Sequence, residues 1–284
     1  MNQSTFAIGS RLDFEEVQAR LFELLLQFDT FCSEKGIRYY LASGTLLGAV
    51  RHQGFIPWDD DVDVVVPRPD YDRLLQFREI SDECALAVHG RDSDYYHPYA
   101  YCNVVDRKTH LVEHNARRQT GNGLFIDVFP LDGMPDDFDL GLRRGNEMIR
   151  WSRLASYINQ QPPKLHSSKM IAKRFIMTLV HLLPSEILLN KVDSLGHRYP
   201  FKDDGYCAQW VCSDRIERVL TPVSDWCGTE TRLPFNGVML PVPNGYDHIL
   251  KICFGDYMQL PPVEDRAGHH GVEAFWVKSE GEGE

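Results

Sequence analysis

Apolar residues near the start of the chain recur three and four positions apart. This spacing over residues 12–34 predicts a long amphipathic helix, and Gly36 stands where a left-handed C-cap would end it. The β-branched and aromatic residues 37–42 predict a strand. Ser43 is expected to cap a short helix over residues 45–51 through its side-chain oxygen. The pattern therefore predicts helix, strand, tight turn and helix.

The next elements alternate between strands and one helix. Residues 62–66 form a hydrophobic run that predicts a strand ended by Pro67, and Asp70 is expected to cap a helix reaching residue 79. Further strands are predicted at residues 85–88, 99–105 and 124–128. These elements predict an α+β fold with a mixed sheet flanked by helices.

The pattern changes after the acidic, Gly- and Pro-containing segment LDGMPDDFDLG. We place a boundary near Met134, which separates a catalytic core at residues 1–134 from a mainly helical extension at residues 135–284. Helices are predicted at residues 140–159, 169–183, 186–198 and 246–254, with β-compatible pieces between the last two. The stretch KMIAKRFIMTLVHLLP is expected to be a core helix, with a membrane-surface helix as the alternative.

Composition narrows the function classes. The chain has 284 residues and a formal net charge of −11, which argues against nonspecific nucleic-acid binding and implies that an anionic substrate needs a bound cation. The start of the chain lacks a basic segment followed by an apolar run, and no stretch has the length of a membrane span, so we expect a soluble cytoplasmic protein. The seven cysteines include no C-x-x-C pair, which argues against a zinc site or a disulfide framework.

Three carboxylates carry the candidate chemistry. Asp61 and Asp63 are two positions apart on a predicted strand, so both side chains face the same way and can hold one hard cation. Asp127 lies inside the apolar run GLFIDVFP, where a charge is unfavourable unless it pairs or binds metal. The alternatives are a solvated acidic loop for the first pair and a salt-bridged Asp127.

The turn Ser43-Gly44-Thr45 between a strand and a helix is a candidate phosphate site. Backbone N–H groups at a helix N-terminus favour anions, and Gly44 would let a phosphate approach the backbone. The alternative is a purely structural cap. The acidic residues that follow this turn make a phosphate site more plausible than the turn would alone.

Three longer strings resemble one enzyme family. GTLLGAVRHQGFIPWDDDVDV, FIDVFPLDG and PVPNGYDHILKICFGDYMQLPP are similar to the LicD family of phosphotransferases, with fukutin and fukutin-related protein as more distant relatives. The resemblance extends in patches over residues 39–270. It implies a nucleotidyltransferase-type core, with Asp61, Asp63 and Asp127 as catalytic residues and ligands of Mg²⁺ or Mn²⁺.

The same resemblance implies a reaction. Family members transfer a phospho-alcohol, such as phosphocholine from CDP-choline, to a sugar hydroxyl of a surface glycan, for example teichoic acid or lipopolysaccharide, or of its precursor. The partners expected here are a CDP-linked alcohol donor and a glycan or lipid-linked glycan acceptor, with peripheral membrane contact at the inner face and without nucleic acid. Choline is favoured as the alcohol, and ribitol and glycerol stay open.

Further residues are candidates for substrate binding on position alone. They follow the phosphate turn, precede the acidic run, end a predicted strand or lie in the tail: Ser43, Gly44, Thr45, Arg51, His52, Trp58, Arg107, Lys108, Arg266, His269 and His270. The bland alternative for each is a surface charge or a packing side chain.

Three other functions compete with phospho-alcohol transfer. A nucleotidyltransferase would use the same carboxylates to modify a small molecule and would release pyrophosphate. A glycosyltransferase would use the D-x-D pair on a nucleotide sugar, and a scaffold protein would keep the fold without activity. The intact carboxylate set argues against the scaffold, because unused clustered charges would destabilise the fold.

Overall fold

The computed structural model describes residues 8–87, 96–164, 167–266 and 272–278. Within these ranges the fold is α+β. The helices are α1 Phe14–Lys35, α2 Ser43–His52, α3 Arg68–Leu74, α4 Phe138–Ser156, α5 Ser168–Leu182, α6 Ser185–Gly196, α7 Val223–Trp226 and α8 Tyr246–Phe254. The strands are β1 Ile8–Arg11, β2 Tyr40–Leu41, β3 Asp63–Pro67, β4 Glu79–Ser81, β5 Cys84–Ala87, β6 Cys102–Asp106, β7 Thr109–Glu113, β8 Phe125–Gly133, β9 Tyr206–Ala208, β10 Leu220–Pro222, β11 Thr231–Phe235, β12 Val238–Val242 and β13 Val272–Val277.

An eight-stranded mixed sheet forms the centre of the fold. Its main path runs β10-β9-β8-β6-β5-β4, while β3 pairs with β8 and β2 pairs with β3. The β3–β8 pairing is parallel, whereas β6 and β9 run antiparallel to β8. The long strand β8 is therefore central to the sheet, because it pairs with β3, β6 and β9.

The first helix confirms the sequence prediction. Asp13 caps α1 by accepting from the Glu16 backbone N–H, and the Glu16 side chain accepts in return from the Asp13 N–H. Gly36 ends the helix in the left-handed conformation at φ 61°. Leu24, Leu25 and other apolar residues on one face are fully buried, so packing of this face holds the helix in place.

The helix predicted at residues 70–79 is wrong in its start, its end and its cap. Helix α3 ends at Leu74, and Pro67 occupies its N-cap position. The Asp70 carboxylate does not cap the helix, because it accepts hydrogen bonds from Arg38 at 2.6 Å and Arg73 at 2.9 Å. Glu79 begins β4 instead. The strand predicted at residues 37–42 is likewise reduced to the two residues of β2.

The central sheet contains strands from both sides of residue 134. Strand β9 pairs with the end of β8 through Ala208 and Asp132. Asp132 is fully buried, and it accepts from Arg68 Nε at 2.5 Å and from Trp210 Nε1 at 2.6 Å. A shared sheet and a buried polar network thus connect the core and the extension, and the division at Met134 stays a prediction.

Helix α5 is not the core helix that its sequence favours. Met177 and Val180 are its buried residues, while most of its other apolar side chains are exposed. No single helix in the described ranges has the length and apolarity to span a membrane, although α5 and α6 together reach them with a 98° bend between them.

Candidate active site

Asp63, Asp127 and Asn103 form one row across three neighbouring strands. Asp63 of β3 is paired in register with Asp127 of β8, and Asp127 is paired with Asn103 of β6. Residues paired across a sheet project to the same face, so the three side chains meet on one side. The Asn103 amide donates a short hydrogen bond to Asp127 Oδ1. The sheet register therefore brings together two of the three predicted carboxylates.

Asp61 lies just before β3 and not on the strand as predicted, because β3 begins at Asp63. The start of β3 is held by helix α2 and its preceding residue. Thr45 Oγ1 accepts from the Asp63 N–H at 2.9 Å, and the Ala42 N–H donates to the Asp63 carbonyl at 3.0 Å. Thr45 thus positions the catalytic strand, a role different from the predicted phosphate contact.

Ser43 is the first residue of α2 and not its cap, which is Ala42. Its backbone has a φ of 46°, an unfavourable conformation for a residue with a side chain. The Ser43 side chain hydrogen bonds to Asp63. Strained backbone of this kind is concentrated at functional sites, where the surrounding structure holds it.

The space beside Gly44, where the sequence predicts a phosphate, contains a side chain of the protein. A Cβ atom at residue 44 would lie 2.7 Å from Asp59 Oδ2, so any larger residue would displace the Asp59 carboxylate. The Asp59 carboxylate therefore lies where the prediction has a phosphate. Gln18 supports this acidic loop by donating to the Asp59 carbonyl at 2.8 Å.

Like charges dominate the surroundings of Asp63. Burial, followed by the nearby Asp61 and Asp127, raises the pKa of Asp63 well above its ordinary value, and the hydrogen bond from Ser43 opposes the shift. A carboxylate in this environment favours a proton or a cation.

The donor chemistry of these carboxylates fits a hard divalent cation, because Mg²⁺ and Mn²⁺ prefer oxygen ligands. The register-paired Asp63 and Asp127 supply two such ligands on one face of the sheet. Within the described ranges, however, no group of three His, Cys, Asp or Glu side chains is positioned to hold a metal ion. The predicted three-carboxylate ligand set thus stays a prediction.

Four predicted binding residues form a cationic and aromatic cluster beside the acidic loop. The Arg266 guanidinium lies 5.4 Å from the Trp58 ring centre, and the His52 ring lies 6.3 Å from it. Arg51 donates to the Tyr257 carbonyl at 2.9 Å. Desolvation, with a contribution from Arg51, lowers the pKa of His52. Trp58 is therefore packed against protein side chains, and its predicted stacking on a ligand stays a prediction.

Arg107 and Lys108 lie away from the carboxylates. They follow the end of β6, four and five residues beyond Asn103, which corresponds to roughly 13 Å or more along a strand. Arg107 contacts Glu79 at 2.6 Å and Lys108 contacts Glu83 at 2.5 Å. The structure therefore does not bring Arg107 and Lys108 together with Asp63 and Asp127. His269 and His270 lie outside the described residues.

Two cavities lie near the candidate site and share Cys212. The first, of about 380 Å³, is bordered by Asp63 together with apolar residues of the sheet and of α8. The second, of about 300 Å³, is bordered by Tyr99, Tyr101 and Glu113. Cys212 borders both cavities, and protein around its thiol together with Asp127 and Asp63 raises the pKa of Cys212 to about 12. The first cavity thus reaches Asp63, and Cys212 connects it to the second.

The second cavity contains an aromatic wall and a buried acid that sequence patterns did not reveal. The Tyr99 and Tyr101 rings are stacked with centres 5.4 Å apart. Desolvation raises the pKa of both phenols, and the nearby Asp127 raises it further. Glu113 accepts from the Tyr99 hydroxyl at 3.2 Å and from the Thr120 hydroxyl at 2.7 Å. Among the described residues, Glu113 has no ion-pair partner.

Other missed residues come from the extension. Gln209, Ser213 and Arg218 border the first cavity but lie about eighty residues or more after Asp127 in sequence. No spacing links them to the carboxylates, so only the tertiary fold reveals their position. Asn103 had a weak signal, since an amide inside the apolar run CNVV needs a partner.

Similarity to a known protein family covers the part of the chain that contains the candidate carboxylates. Residues 36–139 match the family model described as the LicD/FKTN/FKRP nucleotidyltransferase domain. The chain carries a LicD-family domain. Asp61, Asp63, Asp127 and Asn103 all lie within the LicD domain, which confirms the resemblance predicted from the sequence.

Individual relatives extend the similarity beyond the LicD domain. The chain is 28% identical to the lipopolysaccharide cholinephosphotransferase LicD of Haemophilus influenzae, over 93% of this chain and 98% of that protein. It is 49% identical to human ribitol 5-phosphate transferase FKRP over 43 residues, which make up 15% of this chain and 9% of FKRP. An uncharacterised Rickettsia prowazekii protein, RP689, is 30% identical over 42% of this chain and 41% of its own length.

Proposed function

We propose that this protein transfers a phospho-alcohol, with phosphocholine as the leading candidate, from a CDP-linked donor to a sugar hydroxyl of a cell-surface glycan or its precursor. The observation that carries the proposal is the register pairing of Asp63 and Asp127 inside the LicD domain. Two relatives support the reaction class by their names, a cholinephosphotransferase and a ribitol 5-phosphate transferase. The expected cytoplasmic location belongs to this proposal.

Asp63, Asp127 and Asp61 would hold Mg²⁺ or Mn²⁺, and the bound cation would supply positive charge against the donor diphosphate. The chain itself orients these groups. Asn103 fixes Asp127 by donating to Oδ1, and Ser43 donates to Asp63. In the reaction, the sugar oxygen forms a bond to the phosphorus that carries the alcohol, the bond from that phosphorus to CMP breaks, and Asp127 accepts the hydroxyl proton.

The two cavities suggest where the ends of the donor bind. The first cavity is the larger and includes Arg218, which suits the nucleotide end. The second offers the Tyr99 and Tyr101 rings and the Glu113 carboxylate. A quaternary ammonium group cannot donate a hydrogen bond, so aromatic faces and a nearby negative charge are what recognise it. This combination favours choline over uncharged alcohols such as ribitol or glycerol.

A nucleotidyltransferase reaction is the second candidate. The family model that matches residues 36–139 is described as a nucleotidyltransferase domain, and such enzymes use paired carboxylates in the same manner. The products separate the two reactions, because phospho-alcohol transfer releases CMP and nucleotidyl transfer releases pyrophosphate.

Ligand-dependent thermal stability tests the donor assignment. The melting temperature is measured with Mg²⁺ plus CDP-choline, CDP-glycerol, CDP-ribitol or CTP, since a ligand that binds the folded state raises it. We expect the largest shift with CDP-choline, and we expect Asp63→Asn to abolish it while exposed Asp203→Asn retains it. Glu113→Gln should weaken the CDP-choline shift without changing that of CDP-glycerol.

Two outcomes would contradict parts of the proposal separately. If Glu113→Gln reduced the melting-temperature shifts with CDP-choline and CDP-glycerol equally, the assignment of choline would be wrong. The assignment to phospho-alcohol transfer would still hold. A shift that persists in Asp63→Asn, or a shift with CTP alone, would reject the proposed donor site.

A further inference from the structure

Helix α5 presents a continuous apolar surface to solvent. Ile171 is 58% exposed, Phe175 65%, Leu179 48% and Leu182 76%. Neighbouring exposed apolar residues extend this α5 surface: Met170, Ile176, Leu183 and Ile187. Apolar patches of this size on a soluble protein mark sites of interaction.

The helix is amphipathic with its apolar side outward. At 100° per residue, Ile171, Phe175, Leu179 and Leu182 fall within an arc of about 80°. Met177 and Val180, which are buried against the rest of the protein, lie on the opposite side. The inner side therefore suffices for attachment to the fold, and the outward stripe contributes nothing to the core.

The charge around the α5 surface is positive in an acidic protein. Residues 164–183 contain Lys164, Lys169, Lys173 and Arg174 and no acidic residue, whereas the whole chain has a net charge of −11. By the same helical spacing, Arg174 lies about 60° outside one edge of the exposed stripe and Lys169 about 80° outside the other, so both flank it. A basic border around an apolar stripe is the pattern of a helix that lies in a membrane interface.

We propose that the α5 surface docks on a lipid bilayer that contains anionic headgroups. The 15-residue helix is about 22 Å long and would lie in the plane of the interface, with the apolar stripe inserted and the basic residues at the headgroups. A second copy of the chain is disfavoured as the occupant, because two such surfaces would bring the lysines and arginines of both copies together. Docking would bring the protein to acceptors carried by lipids.

Vesicle binding tests the proposal without any catalytic readout. Purified protein is sedimented with vesicles of phosphatidylcholine alone or of phosphatidylcholine with phosphatidylglycerol. We expect binding to the anionic vesicles that weakens with added salt, and we expect Phe175→Glu/Leu179→Glu to reduce it at least ~10-fold. Lys169→Gln/Arg174→Gln should remove the preference for phosphatidylglycerol.

Phe14→Glu/Met239→Glu is the matched control, because it places two acids on exposed apolar positions elsewhere. It should bind vesicles like the wild type, and all variants should retain the wild-type melting temperature. Absence of wild-type binding, or equal loss in the control, would overturn the proposal. So would a wild-type dimer that Phe175→Glu/Leu179→Glu converts to a monomer without any vesicle binding.

Discussion

Aspartates of the central sheet occupy two kinds of environment. Asp106 and Asp132 are fully buried and each is matched by an arginine: Arg20 donates to Asp106 at 2.7 and 2.8 Å, and Arg68 donates to Asp132 at 2.5 Å. Asp63, by contrast, is surrounded by Asp61, Asp127 and Asp59, all of which raise its pKa. Asp106 and Asp132 are thus paired with arginines, whereas Asp63 lies among carboxylates.

This difference separates structural carboxylates from functional ones. A buried charge is tolerated when a partner and hydrogen bonds compensate for its lost hydration. The carboxylates around Asp63 raise its pKa, and closely spaced carboxylates are the ligands that hard cations prefer. The proposed function uses the Asp63 cluster in this way, to bind a cation.

The largest expected effect on stability comes from breaking the ion pair between Arg68 and Asp132. Arg68→Met leaves Asp132 buried without its arginine and should lower the free energy of unfolding by about 3–5 kcal/mol, measured by urea denaturation. The double variant Arg68→Met/Asp132→Leu should recover most of this loss, because it removes both charges. A single variant as stable as the wild type would contradict the structural role of the pair.

Asn103 offers an intermediate effect on the functional side. Asn103→Leu removes the donor to Asp127 and should reduce turnover by about 10–100-fold while binding of the donor changes little. Asn122→Leu is the matched control, since Asn122 is also fully buried and its side-chain amide has no hydrogen-bond partner within the described residues. Equal turnover in the two variants would count against an orienting role for Asn103.

Asp63→Asn should have opposite effects on stability and activity. Removing one charge from the cluster relieves repulsion, so in metal-free buffer the melting temperature should rise by about 2 °C while transfer is lost. Asp132→Asn, its structural counterpart, should lower the melting temperature because it weakens the bond to Arg68. A fall in melting temperature for both variants would erase the distinction between the two environments.

The smallest effect concerns His52 at the cationic edge of the site. Its folded pKa is lowered by desolvation and by Arg51, so the unfolded chain binds the proton more readily below pH about 6.5. The free energy of unfolding should therefore fall as the pH decreases from 6.5. The free energy of unfolding of His52→Asn should fall less over the same pH range. Differential scanning calorimetry at several pH values measures this difference, and parallel curves would contradict it.

The sequence predicts those parts of the molecule whose signals are local. The C-cap at Gly36, the apolar strands and the acidic residues 61, 63 and 127 follow from spacing and composition. The partners of those acids do not, because register across β3, β8 and β6 decides that Asn103 meets Asp127. The Glu113 cavity and Arg218 are reached only through tertiary packing.

Two differences between the predictions and the structure have the same physical origin. Asp70 has the local signature of a cap, but arginines distant or near in sequence take its carboxylate. Arg107 and Lys108 have the right charge for a diphosphate, but the direction of β6 places them beyond its far end, beside Glu79 and Glu83. In each case a long-range contact overrides a local pattern.

Product analysis tests the central claim most directly. The purified protein is incubated with Mg²⁺, CDP-choline labelled in the choline and a deacylated lipopolysaccharide or teichoic acid acceptor, and CMP, pyrophosphate and labelled glycan are quantified. The proposed function predicts CMP and labelled glycan in equal amounts with the wild type and Asp203→Asn, and neither product with Asp63→Asn or Asp127→Asn. Equal product from the Asp63→Asn variant, or pyrophosphate release from CTP in place of CMP formation, would contradict it.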